Sequence, residues 1–191
     1  MTFKGILDLN IPGGVDAGFG RRIWMAANIV PGESVIDLGG TGEMVRWNLP
    51  YVTAFDDLSG FGPGHRLHAP FVRGDVQAIP FPDQSFAVGV LAEVLEHVPD
   101  PVQALREAGR VAGRVVLTTP HEARWSQPIA YRVPGHIRFY TAEILATQIR
   151  KAGLDGEMST LEFGGWAFLV GVFSRNGSGR DQSYRHIDGA A

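Results

Sequence analysis

Four acidic residues recur along the chain at nearly constant intervals: Asp37, Asp56, Asp75 and Glu93, separated by 19, 19 and 18 residues. Each stands at the end of a short, mostly apolar run: Val35–Leu38, Tyr51–Phe55, Phe71–Arg73 and Phe86–Leu91. Runs of that kind are typical of strands buried in a parallel sheet, and the interval is one β-α unit. An ionised carboxylate only accepts hydrogen bonds. Ligands of an open parallel sheet bind beyond the carboxyl ends of its strands. A row of carboxylates there suits a ligand that offers cationic or hydroxylic partners. Any one of them alone is an ordinary solvated loop acid. Four at one edge would repel one another without cationic or hydroxylic partners, and the regular series favours a binding role. Gly39-Gly40-Thr41-Gly42 follows the first run; its glycines let the backbone pass close under a ligand. A helix start after such a turn offers free N–H donors. By itself this loop is also compatible with a plain tight turn.

The elements that would position these residues alternate. Asp16–Val30 reads as an amphipathic helix, with Phe19, Ile23, Trp24, Ala27 and Val30 near helical spacing and Pro31-Gly32 as its stop. Glu43–Leu49 has the length of a short helix ahead of Pro50. Ser59–Pro70 is too rich in Gly and Pro to hold one. Asp100-Pro101 is a helix start, running to about Val111. Val115–Leu117 is a fifth strand. Thr141 caps a helix to Lys151-Ala152, and Gly153 ends it. Glu157–Phe163 and Trp166–Ser174 flank Gly164-Gly165 as a hairpin. The pattern predicts an α/β fold, a Rossmann-like three-layer α/β/α sandwich. Its sheet would be mostly parallel and seven-stranded, closed by an antiparallel C-terminal hairpin strand at the edge.

Residues 1–174 are expected to form a single domain: a helical cap over 1–32, a ligand-binding core over 33–120, a loop over 121–140 and a C-terminal helix and hairpin over 141–174. Residues 175–191 read as a flexible tail. Of 191 residues 45% are hydrophobic, enough for a core, while Gly (25) and Pro (12) are abundant and Cys is absent. There is thus no disulfide framework, thiolate metal site or thiol nucleophile. A formal charge of −3 argues against nucleic acid as a partner. No apolar run spans a membrane and no secretory signal is recognised, so a cytoplasmic location is expected. Association into an oligomer is left open.

The string VIDLGGTG resembles motif I of the class I S-adenosylmethionine-dependent methyltransferases. FVRGDVQAIPFPDQSFAVGVLAEVLEHVPDPVQAL is similar to the stretch around the third and fourth strands in their small-molecule branch, the one around ubiquinone and biotin biosynthesis. RVVLTTP and HIRFYTAEILATQIRKAGL resemble the strand and helix that follow. The likeness covers about Val35–Leu154. It implies S-adenosylmethionine as cofactor and a small-molecule methyl acceptor. Asp37, Gly39, Gly40 and Gly42 would cradle the methionine and ribose. Asp56 would take the ribose hydroxyls, with Asp57 as the fallback. Asp75 would accept from the adenine amino group beside the Val76 N–H, with Ala78 or Ile79 on the ring. Glu93 would lie along the methionine and the methyl group. Motif I is one residue shorter than the common D-L-G-x-G-T-G, and the helix between the second and third strands is replaced by a Gly-Pro loop. Those departures leave open a degenerate cofactor-binding member with a regulatory or scaffold role. An NAD-dependent Rossmann oxidoreductase is less favoured, because the G-x-G-x-x-G fingerprint fails at Val45.

On the acceptor side, histidine suits proton handling near neutral pH. His136, in the aromatic and basic loop His121–Tyr140, is the first candidate to face an acceptor, and His97 the second. Transfer to oxygen is favoured over nitrogen or carbon. Glu93, Glu96 and His97 could form a metal or base cluster, or a helix-start acid pair with a histidine that orients a loop. EVLEHVPD also occurs in metal-free relatives, and no metal site is expected.

Overall fold

The computed structural model describes residues 17–42, 51–59, 67, 69–125, 135–163 and 165–177. Seven strands form one sheet: β1 (Val35–Leu38), β2 (Val52–Asp56), β3 (Phe71–Arg73), β4 (Phe86–Ala92), β5 (Ala112–Pro120), β6 (Leu154–Phe163) and β7 (Trp166–Arg175). Their spatial order is β3-β2-β1-β4-β5-β7-β6. The first five run parallel, β1 pairing with β2 on one side and β4 on the other. The order therefore reverses beside β1, and the crevice above that reversal is where such sheets bind ligands.

Among the described residues three α-helices cover the two faces: α1 (Ala17–Ala27), α2 (Pro101–Val111) and α3 (Ala142–Lys151). Met25 of α1 and Ile29 just after it pack with Val35, Val52, Val88, Val90 and Val116 on one face. Ala104, Leu105, Ala108 and Val111 of α2 and Leu145 and Ile149 of α3 pack with Ile36, Leu38, Leu91 and Leu117 on the other. Alternate residues of β1, β4 and β5 thus face opposite layers, which is why those strands are apolar throughout. Among the described residues no helix is long and apolar enough to cross a membrane.

Both cap predictions hold. The Asp100 carboxylate accepts from Gln103 N at 3.0 Å with Pro101 as the first helical residue, and Thr141 Oγ1 accepts from Ile144 N at 3.3 Å. Gln77 ties the first cap to the end of β3, since its Oε1 accepts from Asp100 N and its Nε2 donates to Asp75.

Several boundaries move. α1 ends at Ala27 because Asn28 and Ile29 bond back only three residues, to Met25 and Ala26, as the helix tightens into the Pro31-Gly32 turn. β5 begins at Ala112 rather than Val115, because the chain leaves α2 straight into extended backbone. β6 begins at Leu154 rather than Glu157, paired with Arg175. The larger correction concerns the hairpin. Its antiparallel strand, β7, is interior, bonded to β5 and β6, and β6 takes the edge running in the direction of the parallel set. The hairpin joins Phe163 to Trp166 through two residues, and Gly165 has φ +85°. The helix expected over Glu43–Leu49, most of the Ser59–Pro70 loop, residues 126–134 of the loop over 121–140 and the tail from residue 178 lie outside the described residues.

The α2 cap offers a direct check. Asp100→Ala removes the one side-chain acceptor of the first turn and is expected to lower stability by about 1 kcal/mol, read from the urea midpoint. An unchanged midpoint would show that solvent satisfies Gln103 N equally well.

Candidate active site

The carboxyl edge near the strand-order reversal carries the predicted acids, each in a different setting. Asp37 is buried inside β1. Its Oδ2 accepts from Gly42 N at 2.9 Å, which folds the glycine turn back over the strand. Gly39 and Gly42 have φ of +79° and +80°, where a side chain would be strained. A Cβ at Gly40 would stand 2.3 Å from Asp37 Oδ2. Burial pushes the Asp37 carboxyl up to about 6, against the Gly42 hydrogen bond, with Asp56 adding repulsion.

Asp56 closes β2, nearly buried, with Oδ1 accepting from Leu58 N in a turn where Leu58 has φ +63°. Asp57 is exposed, and the Ser59 hydroxyl and N–H hold its carboxyl below the usual range. Asp75, also exposed, accepts from Gln77 N at 2.8 Å and from Gln77 Nε2. Val76 beside it is buried in the core. Ile79 is buried too, and its N–H is already given to Glu107.

The turn after β4 is a second, denser group. Glu93 has φ +58°, a strained backbone for a residue with a side chain, and its N–H bonds Thr118 O at 3.0 Å. Its carboxylate takes the Thr118 hydroxyl at 2.9 Å and Arg21 of α1 at 2.9 Å. Arg21 also lies over the Phe168 ring, 5.0 Å from its centre. Glu96 is buried, its Oε2 accepting from Thr119 Oγ1 at 3.1 Å. Burial, then the Glu93 charge, raises the Glu96 carboxyl well above its usual range; burial also raises Glu93, against the pull of Arg21.

The segment 135–140 is stitched to this turn. Ile137 N donates to Glu96 O, Arg138 donates to the carbonyls of Val98 and Pro99, and the buried Tyr140 hydroxyl reaches Leu95 O and Gln148 Oε1. That places His136 against His97, ring centres 4.8 Å apart and nearly perpendicular. His97 Nδ1 faces Gly135 O at 3.0 Å, and His136 Nδ1 faces Glu122 Oε1 at 2.6 Å, with the His136–Glu122 pair almost fully buried. Desolvation holds the His97 imidazole below its usual range, Gly135 opposing.

Two groups therefore emerge from the predicted residues. Asp37, the glycine turn and Asp56 share the β1–β2 end, with Asp57 and Asp75 on their exposed flank. Glu93 joins His97 and His136. Glu122, Thr118, Thr119 and Arg21 belong to the second group. Arg21 lies on the helix that the sequence pattern predicts over Asp16–Val30, but the pattern singles out none of these four. The signal available for the threonines was their place at the end of the fifth strand; nothing in the sequence tied Glu122 to His136.

An open sheet of this order, with a glycine turn over a buried acid and carboxylates at the next strand ends, is a Rossmann-like fold with a ligand crevice at its strand-order reversal. Residues 19–157 match the family described as a methyltransferase domain, and the chain belongs to that family. It is 31% identical over 112 residues to a demethylmenaquinone methyltransferase of a Mycobacterium strain (54% of this chain, 49% of that protein). It is 30% identical over 137 residues to the ubiquinone/menaquinone biosynthesis C-methyltransferase UbiE of Xanthomonas oryzae (61% of this chain, 54% of that protein). The chain thus spans about half the length of these curated relatives. Among solved structures, the fold resembles a Burkholderia thailandensis 1,6-didemethyltoxoflavin-N1-methyltransferase with bound S-adenosylhomocysteine: TM-score 0.61, 18% identity, covering 84% of this chain and 79% of that one.

The family's cofactor is S-adenosylmethionine, and the residues present fit it. The Gly40 backbone lies too close to Asp37 for any side chain, and Asp56 and Asp75 are acceptors at the next two strand ends.

The Asp37 carboxyl yields a pH test. Its folded pKa lies above the ordinary 3.8, so the native state binds the proton more tightly and stability falls as pH rises from about 4 to about 6. Asp37→Asn keeps an acceptor for Gly42 and is expected to remove about 2–3 kcal/mol of that fall. Parallel pH profiles for the two proteins, from urea unfolding without ligand, would contradict the burial argument.

Proposed function

We propose that the chain is an S-adenosylmethionine-dependent methyltransferase acting on a small planar acceptor, and that it methylates oxygen. When bound, the cofactor supplies a methyl group already activated on a sulfonium. The remaining requirements are alignment, exclusion of water and removal of the acceptor proton.

Asp56, with Asp57 as fallback, is assigned to the ribose hydroxyls. Asp75 and the Val76 N–H are assigned to the adenine edge. Asp37 and the Gly39–Gly42 turn hold the methionine side, with Glu93 at its methyl end. The observation that carries the acceptor reading is the buried Glu122–His136 pair beside His97 (2.6 Å, both side chains no more than 7% exposed). A carboxylate on Nδ1 fixes the imidazole tautomer and leaves Nε2 to take a proton, the arrangement that a hydroxyl acceptor needs. His136 is assigned that proton and His97 the flank of the acceptor. Carbon as the methylated atom is the second reading, favoured by the name of the UbiE relative.

Calorimetry with S-adenosylhomocysteine is expected to give one site per chain, and Asp56→Ala to weaken it about 5- to 150-fold, the loss of about 1–3 kcal/mol. Absence of binding at millimolar ligand would overturn the reading. Incubation with cofactor labelled with ¹³C in the methyl group and a panel of phenols and quinols then identifies the acceptor atom by NMR: a methoxy signal supports oxygen, a ring-methyl signal replaces it with carbon.

A further inference from the structure

The acid that faces His136 sits on a piece of chain that does little to hold itself. Glu122 opens a single 3₁₀ turn, Glu122–Arg124, closed by Arg124 N to His121 O at 2.9 Å and Trp125 N to Glu122 O at 3.1 Å. Turns of this kind have poorer hydrogen-bond geometry than an α-helix and persist only in short pieces. Support comes from the β6–β7 hairpin, at both ends of the turn and on one atom. Ala167 O accepts from His121 N at 2.9 Å and from Trp125 Nε1 at 2.9 Å. The Trp125 indole also meets Trp166 edge to face, ring centres 4.5 Å apart. Arg124 reaches Glu162 of β6 at 2.9 Å, but both side chains are more than half exposed and such pairs add little.

His136 is anchored from elsewhere. Ile137 N beside it donates to Glu96 O in the turn after β4. The imidazole is thus hung from that turn and its acid from the hairpin. They meet where Glu122 Oε1 faces His136 Nδ1 at 2.6 Å, both side chains nearly fully buried. A contact between partners carried by different elements is only as exact as the anchor on each side. Hydrogen bonds weaken steeply as they bend or lengthen, and a buried polar group that loses its partner has no water to replace it. Slack in the 3₁₀ turn would let the ring move its proton from Nδ1 to Nε2, the nitrogen that must be bare to take a proton from the acceptor.

We propose that Trp125 is a positioning residue for His136, acting through Glu122. Its indole N–H, clamped to Ala167 O, holds the 3₁₀ turn at the setting in which the Glu122 carboxylate keeps the imidazole proton on Nδ1. The inference rests on the reading of His136 as the group that takes the acceptor proton, and it makes the hairpin that completes the sheet a part of the acceptor site.

Trp125→Phe isolates the N–H. Phe keeps a ring against Trp166, and Ala167 O keeps the His121 N–H, so no buried group is orphaned. Long-range ¹H–¹⁵N NMR on the ligand-free full chain at alkaline pH reads the tautomer, with the His136 signals identified by their loss in His136→Gln. The native chain is expected to show the Nδ1–H form in excess. Trp125→Phe is expected to lower the ratio of Nδ1–H to Nε2–H about 2- to 10-fold, the worth of one net hydrogen bond. Glu122→Ala lowers it at least as far, and adding Trp125→Phe to Glu122→Ala changes it no further, as action through Glu122 requires. If circular dichroism shows Trp125→Phe unfolded, Trp166→Leu, at an exposed position, loosens the same indole and is expected to shift the ratio in the same direction. A lower urea midpoint with an unmoved ratio marks a merely structural tryptophan and overturns the proposal, as does a shift that survives in the Glu122→Ala background. The spectra need neither cofactor nor acceptor, so failure of S-adenosylhomocysteine binding or of methyl transfer would overturn the methyltransferase reading and leave this coupling standing.

Discussion

Two carboxylates three residues apart, the half-buried Glu93 and the buried Glu96, stand together just beyond β4, and much of the surrounding architecture answers the cost of placing them there. Charged groups leave water only where partners replace it. β5 contributes consecutive hydroxyls, Thr118 to one acid and Thr119 to the other. Consecutive strand residues point to opposite faces, so the two acids are held from both sides of β5. α1 contributes Arg21. The positive φ of Glu93 is part of the same solution, since only a sharp turn directly after a strand brings both acids back over its end.

The first three acids of the series pose a milder problem and solve it locally. Asp37 accepts from its own turn, Asp56 from Leu58 and Asp75 from Gln77, all within five residues. These short-range bonds hold them in place at the strand ends. The Glu93 group is instead assembled from α1, β4, β5, the turn that follows it and the segment before α3. The carboxyl edge is therefore divided into a locally built half and a globally built half.

That division explains what could be read from residues alone. Asp37, Asp56 and Asp75 were legible because strand periodicity and the spacing of β-α units place them, and each depends only on its own strand. The caps at Asp100 and Thr141 were legible for the same reason. The His136–Glu122 pair and the approach of His136 to His97 were not, because they depend on Ile137, Arg138 and Tyr140 bonding to residues some 40 positions earlier. Sequence spacing carries no trace of such stitching. The interior place of β7 was likewise hidden: a hairpin signal states that two strands pair, not which of them meets the sheet.

That placement sets an order of assembly during synthesis. β6 leaves the ribosome before β7 yet touches the sheet only through it, along ten paired residues. Until β7 has emerged and docked on β5, β6 is a ten-residue strand without a partner, and β5 is an open parallel edge. The nascent chain therefore carries two adhesive strands at once, for a period set by the rate of translation, and a chaperone that shields β5 would be competing with the protein's own C-terminal strand.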